Sequence, residues 1–64
     1  MGEYYVLIEN QVILCIFFSL MDILSWKAPR QLSDPLMIHR VREDGGIFTT
    51  QMIQINASIY NHRL

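Results

Sequence analysis

The sequence predicts an α+β fold, in which one long N-terminal helix packs on a second short helix and one or two strands. Three features favour this class: an apolar run without charge from Val12 to Met21, a proline-bearing stretch over residues 27–35, and a β-branched segment over residues 47–55. We expect one domain. Its parts are an apolar N-terminal half (1–26), a linker (27–35) and a mixed C-terminal half (36–64), which together make up residues 1–64.

The predicted long helix covers about residues 11–27. At about 100° per residue, its more polar side chains fall in one stripe over roughly a third of the circumference. Asn10 is a candidate N-cap, and Pro29 explains the end of the helix. The remaining two-thirds form a broad apolar face. The stripe consists of Gln11, Cys15, Ser19, Asp22, Ser25 and Trp26.

The alternative is an N-terminal β-hairpin over residues 4–18, followed by short helices. The β-branched and aromatic content of "YYVLI" and "QVILCIFF" favours strands. Glu9-Asn10 is a poor match to the Asn-Gly or Asp-Gly turns of two-residue hairpins, whereas "SLMD" fits a capping box that starts a helix at Ser19. Periodicity does not distinguish helix from strand in a continuous apolar run, so the polar stripe favours the helix.

A second helix is predicted over about residues 35–44. Asp34 stands at the N-cap position, Pro35 at the first helical position, and Gly45 where a helix stops. The alternative is a hairpin that turns at "EDGG". Residues 47–55 predict a strand, and the tail after it predicts a short strand or a frayed end.

The size and composition of the chain point to association. The 64 residues are 52% hydrophobic and only 17% charged, against about 25% charged residues in ordinary domains. Cys15 is the single cysteine, so no disulfide stabilises the chain from within, and chains near 60 residues are only marginally stable. We therefore expect a non-catalytic accessory or assembly subunit that docks on a partner chain or its own copy. Its predicted interface is formed by Ile13, Ile16, Phe17, Leu20 and Leu24.

The first alternative function is a short membrane-associated protein anchored by residues 4–26. A spanning helix needs about 17–25 apolar residues, and any window of that length here includes Asp22 or Glu9. Trp26 and Lys27 at the end of the run still suit a membrane surface. An intracellular location is favoured, because the acidic start does not resemble a signal peptide. The second alternative is an open-reading-frame product that was not shaped by selection for one fold.

No catalytic, cofactor or metal site is predicted. Cys15, His39 and His62 are too far apart in sequence to form the close ligand pairs of zinc sites. Nucleic acid is a poor candidate partner because the isoelectric point is near 6.0. The "NAS" at Asn56 is read as a chance match to a glycosylation acceptor. Contact with an anionic surface is assigned to Lys27, Arg30, Arg40 and Arg42.

Overall fold

The protein is a four-stranded antiparallel sheet with two short helices, as described by a computed structural model over residues 2–62. The strands lie in the order β2-β1-β3-β4, so each hairpin occupies one half of the sheet. In chain order the elements are β1 (Gly2–Glu9), β2 (Val12–Phe17), α1 (Leu20–Ser25), β3 (Leu36–Asp44), β4 (Ile47–Ile55) and α2 (Ser58–Asn61).

The predicted α+β fold with a helix over residues 11–27 is wrong, because β1 and β2 form a hairpin there. Asn10 and Gln11 make its two-residue turn with φ of 51° and 68°. Positive φ at both positions matches the twist of the flanking strands, which explains how a turn without glycine closes the hairpin. The polar stripe of the predicted helix arose because polar residues happened to recur at helical spacing.

A β-bulge in β2 decides which of its side chains reach the core. Leu7 pairs with Cys15 and Ile8 pairs with Ile13, so Leu14 is an extra residue on the β2 side. A bulge shifts the alternation of side chains by one position. Leu14 and Cys15 both pack against the core, and Ile13 is moved to the opposite face of the sheet.

The helix predicted over residues 35–44 is also wrong, because this segment is β3. Leu36 is fully buried, and β3 pairs along its length with β1 and β4. Gly45 and Gly46, with φ of 61° and 84°, form the turn at "EDGG". Asp34 does not cap a helix; its Oδ1 accepts a hydrogen bond from the backbone N–H of Ala57 at 2.6 Å. Pairing with a strand on each side outweighs the local helix signals.

The core lies between one face of the sheet and a layer made of α1, the segment 26–35 and α2. Ser19 caps α1 by accepting a hydrogen bond from the Asp22 N–H at 3.2 Å. The tail forms α2 and not the predicted strand. The buried core cluster consists of Tyr5, Leu7, Phe17, Ile23, Ala28, Leu32, Leu36, Ile38, Ala57 and Tyr60.

Three aromatic rings connect the sheet to both helices. Trp26 meets Phe17 of β2 with ring centroids 5.8 Å apart, and it meets Tyr60 of α2 at 5.1 Å, both edge-to-face. The Tyr60 hydroxyl donates a hydrogen bond to the Ile23 carbonyl at 3.0 Å. These contacts hold α2, which has only four residues, against α1.

Candidate interaction surfaces

One face of the sheet is not covered by any element of residues 2–62, and we call it the open face. Side chains alternate between the two faces of a strand, so the registers of the three strand pairs identify its members. Most of them are apolar. They are Gly2, Tyr4, Val6, Ile8, Ile13, Ile16, Met37, His39, Val41, Glu43, Phe48, Thr50, Met52 and Gln54.

The outer strands make the open face an exposed apolar surface. Ile13 and Ile16 of β2 are 61% and 50% exposed, and Phe48 and Met52 of β4 are 65% and 53% exposed. Single exposed apolar side chains are normal, but a contiguous apolar patch usually marks a site of interaction.

A groove of about 850 Å³ lies where the open face meets the β1–β2 turn. Ile8, Ile13, Met37 and Met52 form its apolar side. The polar side is formed by Glu9, Asn10, Gln11, Arg30, Ser33 and Asp34, with Pro35 beside them. The groove therefore extends the open face into a charged rim.

The charges at this rim are already paired. Arg30 donates to both carboxylate oxygens of Glu9, at 2.6 and 3.2 Å, and the Ser33 N–H donates to the same carboxylate at 2.7 Å. The hydrogen bonds from Arg30 and Ser33 hold the pKa of Glu9 below its ordinary value. Glu9 is thus kept ionised in a structural contact, which makes it a poor general acid or base.

The five residues of the predicted interface do not form one surface. Ile13 and Ile16 lie together on the open face of β2, because the bulge brings both to that side. Phe17 lies in the core and is only 5% exposed. Leu20 and Leu24 lie on α1, on the covered side of the sheet, and remain 62% and 57% exposed.

Leu20 and Leu24 belong to a second apolar surface, which we call the α1 corner. Its other members, Phe18 and Met21, are 75% and 69% exposed. Lys27 lies two residues after the end of α1 and is exposed. The corner combines four apolar side chains with an adjacent cation.

The four predicted basic contacts are spread over the molecule. Arg30 pairs with Glu9, and Arg40 of β3 pairs with Glu3 of β1. The hydrogen bond that Arg40 donates to the Glu3 carboxylate lowers the pKa of Glu3. Arg42 lies two residues beyond Arg40 on the same side of β3, whereas Lys27 is on the loop after α1. Two of the cations are therefore engaged within the chain.

The free edge of β4 is a surface that sequence reasoning missed. Residues 47–54 are all exposed, and only Ile55 is half-buried against the core. The strand holds nine residues with no charge, proline or glycine. The signal was present in the sequence, because "IFTTQMI" has two apolar residues at each end and three polar residues between them.

The described part of the chain contains no cluster of three or more His, Cys, Asp or Glu side chains arranged to hold a metal ion. Cys15 is half-buried beside the core, His39 lies on the open face and His62 follows α2. Asn56 is exposed between β4 and α2.

Neither α1 nor α2 is long enough to cross a bilayer, and residues 2–62 contain no other α-helix. No family model matches the chain, and no curated protein or solved structure matches it either.

Proposed function

We propose that this protein is a non-catalytic assembly subunit, and that another protein docks on the open face of its sheet. The observation that carries the proposal is the contiguous apolar surface on the side of the sheet opposite the core. A sheet normally buries its apolar face against a second layer. The two helices and the segment 26–35 cover one face of the sheet. A partner protein is the available source of a layer over the open face.

The composition of the open face suits a protein partner. Its apolar side chains are flanked by the rim of the groove, where Glu9, Arg30 and Asp34 supply polar groups. Protein interfaces combine an apolar centre with a polar rim in this way. The charged rim groups are paired with one another or with backbone, which suits orientation of a partner and offers no free acid, base or nucleophile.

Site-specific photocrosslinking tests the proposal in the cell that makes the protein. A photoreactive amino acid replaces Ile16 on the open face, or Gln31 in the exposed loop on the other side. We expect a discrete protein adduct from position 16 and none from position 31. Ile13→Thr, next to Ile16 on the open face, should reduce that adduct without lowering the melting temperature by more than a few degrees.

The outcome against the proposal is the same adduct pattern from both positions, or no adduct from position 16 in a folded protein. Either result leaves the open face without a specific partner.

A second candidate function, contact with a membrane surface, is favoured by the α1 corner. Apolar side chains beside a cation suit an anionic lipid interface. Flotation with phosphatidylglycerol vesicles tests it, and Leu20→Ser/Met21→Ser should abolish binding. Release of the wild-type protein by a high-salt wash contradicts insertion of the corner into lipid.

A further inference from the structure

We infer that two copies of this chain pair reversibly through their β4 edges and form a continuous eight-stranded antiparallel sheet. The inference rests on the β4 strand and not on the open face, so it goes beyond the proposed function. A strand at the end of a sheet presents unpaired backbone N–H and C=O groups to any chain that can extend the sheet.

β4 lacks the features that normally block such pairing. Exposed edges are commonly protected by charged side chains, proline or a bulge, and β4 has none of these over its nine residues. The other edge strand, β2, has only six residues and is interrupted by its bulge at Leu14. The two edges of the sheet are therefore not equivalent, and β4 is the open one.

The sequence of β4 specifies a second copy as the occupant. Antiparallel pairing about a two-fold axis at Thr50 places each residue of the segment 47–53 opposite a residue of like polarity. Ile47 faces Ile53, Phe48 faces Met52, Thr49 faces Gln51 and Thr50 faces itself. Matched apolar pairs and Thr–Thr pairs stabilise antiparallel strands, and no like charges oppose one another because the strand has no charge.

This register also agrees with the burial of β4. Ile55 lies outside the symmetric segment and is the one residue of the strand that packs on its own core. With the two-fold axis at Thr50, Ile55 is not needed for pairing with the second copy and stays packed on its own core. Both copies place their helices on the same side of the joined sheet, so their open faces become one continuous surface.

The contact area predicts a weak dimer. Seven paired residues span about 23 Å, and the molecule is 14 Å across its thinnest dimension. Their product is about 300 Å² per copy, less than half of the roughly 800 Å² per partner in stable complexes. We expect dissociation at low micromolar concentration and association approaching millimolar.

Disulfide trapping tests the register in a Cys15→Ala background. In Thr50→Cys the two introduced thiols lie on facing residues, whose Cα atoms are about 4.5–5.5 Å apart, within disulfide range. In Met52→Cys, two residues away on the same face, the two Cα atoms lie about 14 Å apart. Under diamide at 200 µM protein, we expect rapid covalent dimer from Thr50→Cys and at least tenfold slower dimer formation from Met52→Cys.

Sedimentation velocity from 10 µM to 1 mM is the second measurement. Thr50→Lys sets two ammonium groups opposite each other and should weaken association severalfold, whereas Gln54→Lys, outside the symmetric segment, should leave it unchanged. Equal crosslinking of the two cysteine variants indicates stacking of open faces and overturns the inference. So does a wild-type protein that stays monomeric at 1 mM. The photocrosslink at position 16 is read separately, so failure of one proposal is distinguishable from failure of the other.

Discussion

Replacement of Tyr60 tests whether the short C-terminal helix α2 contributes to the stability of the core. Tyr60 is 1% exposed, packs on Trp26, and donates its hydroxyl to the Ile23 carbonyl at 3.0 Å. An aromatic side chain buries about 150–250 Å², and truncation of a buried aromatic residue to alanine typically costs about 3–5 kcal/mol. Loss of the hydroxyl alone leaves the carbonyl without this partner and costs about 1 kcal/mol.

These costs are large for a chain of this size. At roughly 0.05–0.15 kcal/mol per residue, the 64 residues have a free energy of unfolding of about 3–10 kcal/mol. Tyr60→Ala should therefore remove about a third or more of the free energy of unfolding at 25 °C. Tyr60→Phe should lower the melting temperature by about 4–8 °C.

Urea unfolding measured by both Trp26 fluorescence and far-ultraviolet circular dichroism is the assay. Trp26 is the single tryptophan, and it contacts Tyr60 directly. Ile59→Ala, at the neighbouring 44% exposed position, is the matched control and should cost under about 1 kcal/mol. A Tyr60→Ala variant that costs no more than Ile59→Ala refutes the structural role assigned to Tyr60. A single cooperative transition by both probes also argues against a chain that was never selected for one fold.

Three further predictions concern other parts of the molecule. Phe17 and Phe18 are adjacent in sequence but 5% and 75% exposed. In the same urea assay, Phe17→Ala should lower the free energy of unfolding by about 3–5 kcal/mol and Phe18→Ala by under about 0.5 kcal/mol. Equal losses from the two variants contradict the assigned faces. The Arg30 and Ser33 hydrogen bonds hold the pKa of Glu9 below its ordinary 4.5, so this contact stabilises the fold above that pH and is lost as pH falls through the lower folded-state pKa. Melting temperatures from pH 7 to pH 2 should fall less steeply in Glu9→Gln; an unchanged slope is evidence against the contact. Gln11 has a φ of 68°, so Gln11→Gly should raise the melting temperature by a few degrees, and a decrease contradicts the turn geometry.

The C-terminal hairpin shows how far the sequence predicts this fold. β-branched residues correctly marked residues 47–55 as a strand, and "EDGG" correctly marked a turn as the alternative to a helix end. The helix signals at Asp34 and Pro35 were locally valid but misleading. They describe the backbone preference of a few residues, whereas β3 is fixed by pairing on both sides with strands that are distant in sequence.

The N-terminal hairpin was harder to predict for a different reason. Its strand β2 is apolar throughout, and the bulge at Leu14 removes the simple alternation that identifies a half-buried strand. The same bulge divides the predicted interface, since it places Ile13 beside Ile16 and leaves Phe17 in the core. The position of a bulge depends on the partner strand, so the segment alone did not indicate which residues would stay exposed.

The excess of apolar residues in the composition predicted an uncovered surface more reliably than any local pattern did. A chain this short with 52% hydrophobic residues leaves apolar surface uncovered whether its elements are helices or strands. In the structure this excess lies on the open face, at the α1 corner and along β4. Pairing of two β4 edges covers backbone groups but little of the open face, and it joins two such faces into one. A dimer formed in this way therefore has a larger apolar surface to offer a partner than the monomer has, which makes self-association a step toward the proposed docking function and not a competitor to it.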